Sequence, residues 1–473
     1  MELTRALIQS FLGTPTTQQL NAFKLFEKFL VTPNDKICFI LKGYAGTGKT
    51  TAISAIVKAL PMINMRSVLL APTGRAAKVM QTYAGKKATT IHKKIYRKKV
   101  AGTPEMNFSL SDNHHKNTLF IVDEASMISN EDISLDRKSL LEDLINYVEQ
   151  GKDCRLMFVG DVAQLPPVGL IESPALDAAY LNRFFGYEVF SYELTDVVRQ
   201  DKHSGILFNA TSIREQIRLD SDCHDRLRFP KLKVGGYRDV FRMTGERLVE
   251  GLHYAYDKYG MENTLVICRS NKNANLYNQN IRNRILYREE ELTGGDHVMV
   301  VRNNYYWTFE SEQIQSFIAN GDMAVVKRVR NVHEQHGFRF ADVTLRFIDQ
   351  EEQEPLSCRV LLDVLYADAP GLVQEDHRKL FEAVMRDYEY IENKKDRLAA
   401  IKTDPYYNAL QIKFSMAVTC HKAQGGQWDA VFIDQGYLTD EMLDTEFLRW
   451  LYTACTRATT ELFLLNFNDQ FFD

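Results

Sequence analysis

The stretch Gly43-Tyr44-Ala45-Gly46-Thr47-Gly48-Lys49-Thr50 has the pattern G-x-x-x-x-G-K-T, which suits the cradling of phosphate groups. Glycines let backbone N–H groups approach phosphate oxygens, and the N-terminus of a following helix favours negative charge. Lys49 is placed to reach the β- and γ-phosphates and the Thr50 hydroxyl to coordinate Mg2+, with Gly43, Ala45, Gly46, Thr47, Gly48 and Thr51 around them. Farther along, Asp123 and Glu124 follow the apolar run Leu119-Phe120-Ile121-Val122. A strand that delivers two carboxylates to its C-terminal end suits Asp123 as a partner of Mg2+ and Glu124 as the base that orients water for attack. An acidic pair at a strand end is ordinary by itself; its place downstream of a phosphate loop gives it this chemistry.

Those residues need a sheet to hold them. Short apolar runs at Ile37 to Leu41, Ser67 to Ala71, Leu119 to Val122 and Leu156 to Val159 alternate with helix-like segments, the pattern of a parallel sheet covered by helices. The segment from Lys49 to Leu60 reads as a helix stopped by Pro61. A second set of strands is expected at Thr264 to Cys268, Ser415 to Thr419, Ala430 to Ile433 and Leu462 to Asn466. Between them, residues near 294 to 365 alternate Val, Met, Tyr and Phe with turn signals at Gly294-Gly295 and Asn320-Gly321, which suggests a small β-barrel. A charged, helical stretch from Pro370 to about Lys402 follows, and the strand pattern resumes after Pro405. The barrel and this stretch therefore read as an insertion into a second α/β domain.

At 473 residues, 45% hydrophobic and 25% charged, the chain can bury several cores and reads as soluble and globular. No apolar run is long enough to cross a bilayer and no leader pattern stands at the N-terminus, so no membrane partner and a cytoplasmic location are expected. Seven scattered cysteines, Cys38, Cys154, Cys223, Cys268, Cys358, Cys420 and Cys455, form no C-x-x-C pair and read as reduced, mostly buried thiols. The net charge of -4 hides an asymmetry: from Lys36 to Pro104 there are fourteen Lys or Arg and no Asp or Glu. The densest part is Lys86, Lys87, Lys93, Lys94, Arg97, Lys98 and Lys99, which serves equally as a polyanion-facing patch or as a solvated face.

Gly160-Asp161-Val162-Ala163-Gln164-Leu165-Pro166-Pro167-Val168-Gly169 makes a resemblance specific. G-D-x-x-Q-L-P-P-V-G resembles motif III of the superfamily 1 helicases, and ordered matches cover nearly the whole chain. Thr16 to Ala22 resembles the Q motif, Ala71 to Ala77 motif Ia, Thr90-Ile91-His92 motif Ib and Asp123 to Met127 motif II. Leu194 to Gln200 resembles motif IV, Asn271 to Arg282 motif IVa, Ala417 to Gln427 motif V and Leu451 to Ala458 motif VI. The resemblance is strongest to the RecD-like and Dda-like subgroup.

That resemblance implies an α/β fold of two RecA-like parallel-sheet domains, with a small hairpin, or pin, inserted in the first and an SH3-like β-barrel in the second. Domain 1 would span 1–199 with the pin near 96–117, domain 2 would combine 200–285 with 409–473, and the insertion would occupy 286–408. It implies ATP hydrolysis stimulated by DNA, with translocation 5′ to 3′ on single-stranded DNA and unwinding of duplexes and fork junctions. Gln19 would read adenine, Gln164 would sense the γ-phosphate, and Arg199 and Arg457 would reach the same phosphate across the cleft. Gln427 stands where the family commonly has Glu, near the ribose, which puts ribose discrimination in question. Pro72, Thr73, Gly74, Arg75, Thr90 and His92 would grip DNA on domain 1, and Thr419, His421 and Lys422 on domain 2. Either histidine has an ordinary alternative as a capped, structural side chain.

The pin would meet the duplex, and Met106 and Phe108 are the large apolar side chains just past its turn at Gly102-Thr103-Pro104. Phe108 is the preferred wedge, with anchorage of the hairpin as its alternative. Three other readings stand beside an independent, monomeric helicase. A scaffold with a decayed ATPase conflicts with the complete set Lys49, Thr50, Asp123, Glu124, Gln164 and Arg457. A subunit of a recombination or repair complex would dock through the segment 370–402, although no room for a nuclease domain is expected. A translocase that strips proteins from DNA has the same sequence signature.

Overall fold

The computed structural model describes residues 2–98, 108–130, 139–197, 204–222, 229–307, 318–348 and 354–472. Among them, no helix is long and apolar enough to cross a membrane. The first sheet is built from β1 (Ile37–Gly43), β2 (Arg66–Ala71), β3 (Ala88–Thr90) and, past a hairpin of β4 (Tyr96–Lys98) with β5 (Phe108–Leu110), from β6 (Lys116–Val122), β7 (Lys152–Gly160) and β8 (Glu188–Leu194). Its order is β3-β2-β6-β7-β1-β8 and every pairing in it is parallel. Buried on both faces, Ile37 to Leu41 of β1 and Leu119 to Val122 of β6 are continuous apolar runs, as parallel strands between helix layers are. The order puts β1 beside β7 and β2 beside β6, so the ends of β1, β6 and β7 open on one edge. That edge is where open α/β sheets hold ligands.

The second sheet contains β9 (Val240–Met243) and β10 (Thr264–Cys268). Between these and the remaining strands lies a closed barrel of β11 (His297–Val300), β12 (Met323–Gln335), β13 (Phe338–Phe347), β14 (Leu356–Leu361) and β15 (Leu410–Phe414). The sheet is completed by β16 (Ala417–Thr419), β17 (Trp428–Asp434) and β18 (Ala458–Leu465), in the order β16-β10-β17-β18-β9. Two parallel α/β sheets with a barrel inserted in the second are thus present, as the fold class requires. The helices Gln374–Asp387 and Lys394–Lys402 lie between β14 and β15 and pack on one another and on the barrel through Leu380, Val384 and Ile401.

Two expectations need correction. The strand Leu410–Phe414 closes the barrel, so the insertion extends past 408: β15 pairs with both β11 and β14. The α-helix Lys49–Ala59 ends before Pro61 as expected, and the chain continues into a 3-10 turn, Leu60–Ile63, where proline occupies an early position that needs no N–H. Lys116 and Asn117 belong to β6 and not to the hairpin. The strands β8 and β9 were not expected; β8 alternates exposed and buried residues as an edge strand. The hairpin turn with Gly102, Thr103, Pro104 and Met106 lies outside the described residues, as do Lys99, Arg199, Cys223 and the Phe108 side chain. The six cysteines described are free, and all but Cys154 are buried.

Candidate functional site at the cleft between the two sheets

β1 delivers the phosphate loop, and the helix Lys49–Ala59 continues it. Gly46 and Gly48 take φ of 79° and 85°, left-handed conformations that glycine adopts without steric cost and that let the loop wrap backbone N–H groups around one centre. The Lys49 ammonium donates to the loop carbonyls of Gly43 at 2.6 Å and Tyr44 at 2.9 Å. The Thr47 hydroxyl donates to the Tyr44 carbonyl at 2.8 Å and so braces the loop from within, while Thr50 is exposed at the helix start.

β6 presents the acidic pair. Asp123 Oδ1 accepts from the Glu124 N–H at 2.9 Å, and Asp123 Oδ2 accepts from the Tyr83 hydroxyl. Glu124 has φ of 52°, a left-handed backbone that a glutamate adopts only when its surroundings impose it. Burial pushes both carboxyls above their ordinary range; Arg457 and Lys49 offset this at Glu124 while Asp123 adds to it, and at Asp123 the hydrogen bonds from the Tyr83 hydroxyl and the Glu124 N–H, with Lys49, offset it. An acidic pair so placed, with the Thr50 hydroxyl, supplies the hard oxygen donors that a small divalent cation takes. Among the described residues, no group of three or more His, Cys, Asp or Glu could hold a metal by itself. A cation held by one carboxylate, one hydroxyl and substrate oxygens fits that arrangement.

The second sheet closes over this loop. Arg457 is 4% exposed, donates to the carbonyls of Thr453 and Gly426 at 3.1 Å each, and places Nη1 3.9 Å from Glu124 Oε1. Tyr452, on the helix Thr445–Cys455, accepts from the Ala45 N–H of the phosphate loop at 2.9 Å and donates to Asp161 at 2.6 Å. Thr453 accepts from Leu165 N–H at 2.9 Å, and the Gln424 amide donates to the Leu165 carbonyl at 2.7 Å. The guanidinium of Arg214, on the helix Gly205–Asp222, lies 4.5 Å from the Tyr44 ring centroid. Gln164 is buried with its Oε1 unpartnered, an orphan acceptor at the cleft.

The start of the helix Gly74–Ala84 and the segment at Gly425 also meet beside the cleft. Gly425 has φ of 73°, and a Cβ there would stand 2.8 Å from Ala76 Cβ and 3.2 Å from Thr73 Oγ1, so only glycine permits this approach. The barrel loop reaches the same place: Lys422 donates to Asn320 at 2.5 Å, and a Cβ on Gly74 would collide with Asp322 Oδ1 at 2.8 Å. Burial pushes Lys422 down to about 8 and lowers His421 below its ordinary value, the latter with Lys422 adding to the effect.

Several residues are used differently from expectation. Gln19 caps its own helix, its Oε1 accepting from Thr16 N–H at 2.9 Å, and its amide donates to the Thr47 carbonyl at 3.2 Å; these contacts make it a brace of the phosphate loop. The Thr73 and Thr90 hydroxyls cap helices, accepting from Ala76 and Lys93 N–H at 3.2 Å each. Arg75 turns to domain 2, donating to the Gln427 carbonyl at 3.0 Å and lying 4.5 Å from the Trp428 ring centroid, while Gln427 is exposed. The basic cluster is not one open patch, since Lys86 donates to Ser67 and Arg97 pairs with Asp112. Tyr452, Thr453 and Gln424 were missed as individual residues. They fall inside stretches already resembling motifs V and VI, but only the fold shows that their hydroxyls and amide cross to the first domain.

Residues 23–219 match the family model described as an AAA domain, and residues 414–465 match the UvrD-like helicase C-terminal domain. Uncharacterized protein R530 of Acanthamoeba polyphaga mimivirus is 24% identical over 519 residues, covering 94% of this chain and 98% of that protein. The ATP-dependent DNA helicase dda of Enterobacteria phage T4 is 24% identical over 476 residues, covering 95% of this chain and 98% of that one. The ATP-dependent RecD2 DNA helicase of Deinococcus radiodurans is 33% identical over 132 residues, 27% of this chain and 16% of that one. The chain belongs to the Dda-like and RecD-like superfamily 1 helicases. In this helicase the two matched regions meet at one cleft, Lys49, Asp123 and Glu124 coming from the first and Arg457 from the second.

A consequence follows for Arg457. Its charge faces Glu124 from the opposite domain, so it contributes most when the cleft is closed around a phosphoryl group. Arg457→Ala should lower DNA-stimulated turnover by about a hundredfold while changing ATP affinity far less. Because Arg457 holds the Glu124 carboxyl down, its loss should also move the acid limb of the turnover profile to higher pH. Stopped-flow nucleotide binding together with steady-state ATPase across pH checks both; lost affinity with an intact maximal rate would make Arg457 a ground-state contact.

Proposed function

We propose that this helicase is a DNA-stimulated ATPase that moves 5′ to 3′ along single-stranded DNA and separates the duplex it meets. The observation that carries the proposal is the pair of contacts across one interface: Arg457 with Glu124 at the nucleotide site, and Gly425 with Thr73 beside it. ATP would bind at Gly43 to Thr51, with Lys49 on its terminal phosphates and Thr50 and Asp123 holding Mg2+, which would screen phosphate charge. Glu124 would take the proton of the attacking water, and Gln164, Arg457 and Arg199 would stabilise the charge on the transferred group.

Closure upon ATP then changes the spacing between the grips. Pro72 to Arg75, Thr90 and His92 would hold the strand on residues 1–199, and Thr419, His421 and Lys422 on the second α/β unit; alternate hold and release converts hydrolysis into steps. Hydroxyls already serving as caps, at Thr73 and Thr90, would accept from their helices through the oxygen while donating the O–H to phosphate, which a hydroxyl, being donor and acceptor at once, permits. The barrel would cover the strand, and the hairpin β4–β5 would act as the pin, with Phe108 or Met106 against the last base pair. The dda and RecD2 names, both ATP-dependent DNA helicases, support the same activity. Binding should be indifferent to sequence and weaken steeply with salt.

The deciding experiment is strand displacement on duplexes bearing a single 5′ or 3′ tail, alongside ATPase with and without oligothymidylate. Unwinding confined to the 5′-tailed substrate is expected. Efficient unwinding from the 3′ tail overturns the polarity, and stimulated ATPase without any displacement favours a translocase that strips proteins from DNA.

A further inference from the structure

Tyr83 lies outside every motif named above, yet its hydroxyl donates to Asp123 Oδ2, the side-chain oxygen of the metal-site carboxylate that the Glu124 N–H does not hold. The residue sits in the last turn of the helix Gly74–Ala84. The other end of that helix is capped by Thr73, next to Arg75, and faces Gly425 of the opposite domain. Met80 and Ala84 anchor the helix in the core shared with Ile53 and Ile56 of the phosphate-loop helix, and Tyr83 packs against the same cluster. A packed helix of this length moves as a rod and not as a string of independent residues.

We propose that Tyr83 is a positioning residue that ties the Asp123 carboxylate to the DNA-grip helix, so that engagement of single-stranded DNA at Thr73 and Arg75 sets how Asp123 is presented to Mg2+ and nucleotide. The inference rests on the helicase reading above. Its physical basis is a difference in tolerance. Magnesium demands near-ideal octahedral geometry, so a small rotation of one carboxylate ligand changes affinity, whereas packing elsewhere absorbs the same displacement. The Tyr83 hydroxyl supplies the hydrogen bond through which a shift of the helix becomes a rotation of Asp123. DNA and magnesium-bound nucleotide would then be coupled ligands, each tightening the other by the same factor.

The test is Tyr83→Phe, which keeps the ring in its core contacts and removes only the hydroxyl. The affinity of a non-hydrolysable ATP analogue with Mg2+ is measured by calorimetry with and without a short oligothymidylate, in wild type and variant, with thermal melting as a check of packing. Coupling between two sites ordinarily runs to about 5–150-fold. Wild type should therefore show at least about a fivefold tightening by DNA, and the variant a factor close to one with oligothymidylate affinity in the absence of nucleotide unchanged. The Mg2+ concentration at half-saturation should shift with DNA in wild type and stay fixed in the variant. A merely structural tyrosine would lower melting and weaken nucleotide binding equally with and without DNA, and that result overturns the proposal, as does a variant with undiminished coupling. A wild type that binds no oligothymidylate, with an ATPase indifferent to it, overturns the helicase reading and this coupling together.

Discussion

Lys49→Ala leaves single-strand binding close to wild type and lowers ATP turnover by about a hundredfold or more, the loss usual when a group that stabilises transition-state charge is deleted. The ammonium lies over the phosphate loop on the carbonyls of Gly43 and Tyr44, two contacts made within the loop itself. Its removal takes the positive charge from the place where the terminal phosphates would lie, and it leaves the contacts between Thr73 and Gly425 intact. Stability changes little, because Lys49 is only half-buried and both of its contacts are made within its own loop. Steady-state ATPase with saturating oligothymidylate, paired with fluorescence anisotropy of labelled oligothymidylate, separates the two effects. Turnover within a few-fold of wild type would remove Lys49 from the chemistry, and parallel loss of DNA binding would make it a fold residue.

The parts of the site that the sequence makes plain are those whose chemistry lies in contiguous residues. Gly43 to Thr50 needs its own loop and the helix after it, and Asp123-Glu124 needs the strand before it, so a local pattern defines each. The stretches Ile37 to Leu41 and Leu119 to Val122 that carry them are apolar because both faces are covered, and such runs stand out. What stays hidden depends on partners distant along the chain. Gln19 looks like a free amide until the fold spends its oxygen on Thr16 and its nitrogen on Thr47. Arg75 reads as a phosphate ligand alone, and only the fold shows that Trp428 also lies under its guanidinium. Tyr452 is one more aromatic on an apolar helix until the closing domain sets its hydroxyl between Ala45 and Asp161. The strand Leu410–Phe414 falls after Pro405, where the α/β pattern is expected to resume, although the strands it pairs with belong to the barrel.

Glu124→Gln should bind ATP and stall before cleavage, with turnover down by about a hundredfold or more and nucleotide affinity kept. The replacement is nearly isosteric, so it preserves the left-handed backbone at φ of 52° and the position of the side chain beside Arg457. What it removes is the capacity to accept a proton from water. The pH dependence distinguishes this from a packing effect. Burial raises the Glu124 carboxyl, with Arg457 only offsetting part of the rise, so the ionised, proton-accepting form is lost on acidification at a pH above the ordinary glutamate value of about 4.3. Wild-type turnover should therefore fall along an acid limb displaced upward from that value, while the residual rate of the Gln variant lacks that limb because an amide does not titrate in this range. The pair of measurements is single-turnover hydrolysis across pH in both proteins and equilibrium binding of ATP to the variant. Near-wild-type cleavage in the variant would take the proton-accepting role from Glu124, and an unchanged acid limb would place the titrating base on another residue of the cleft.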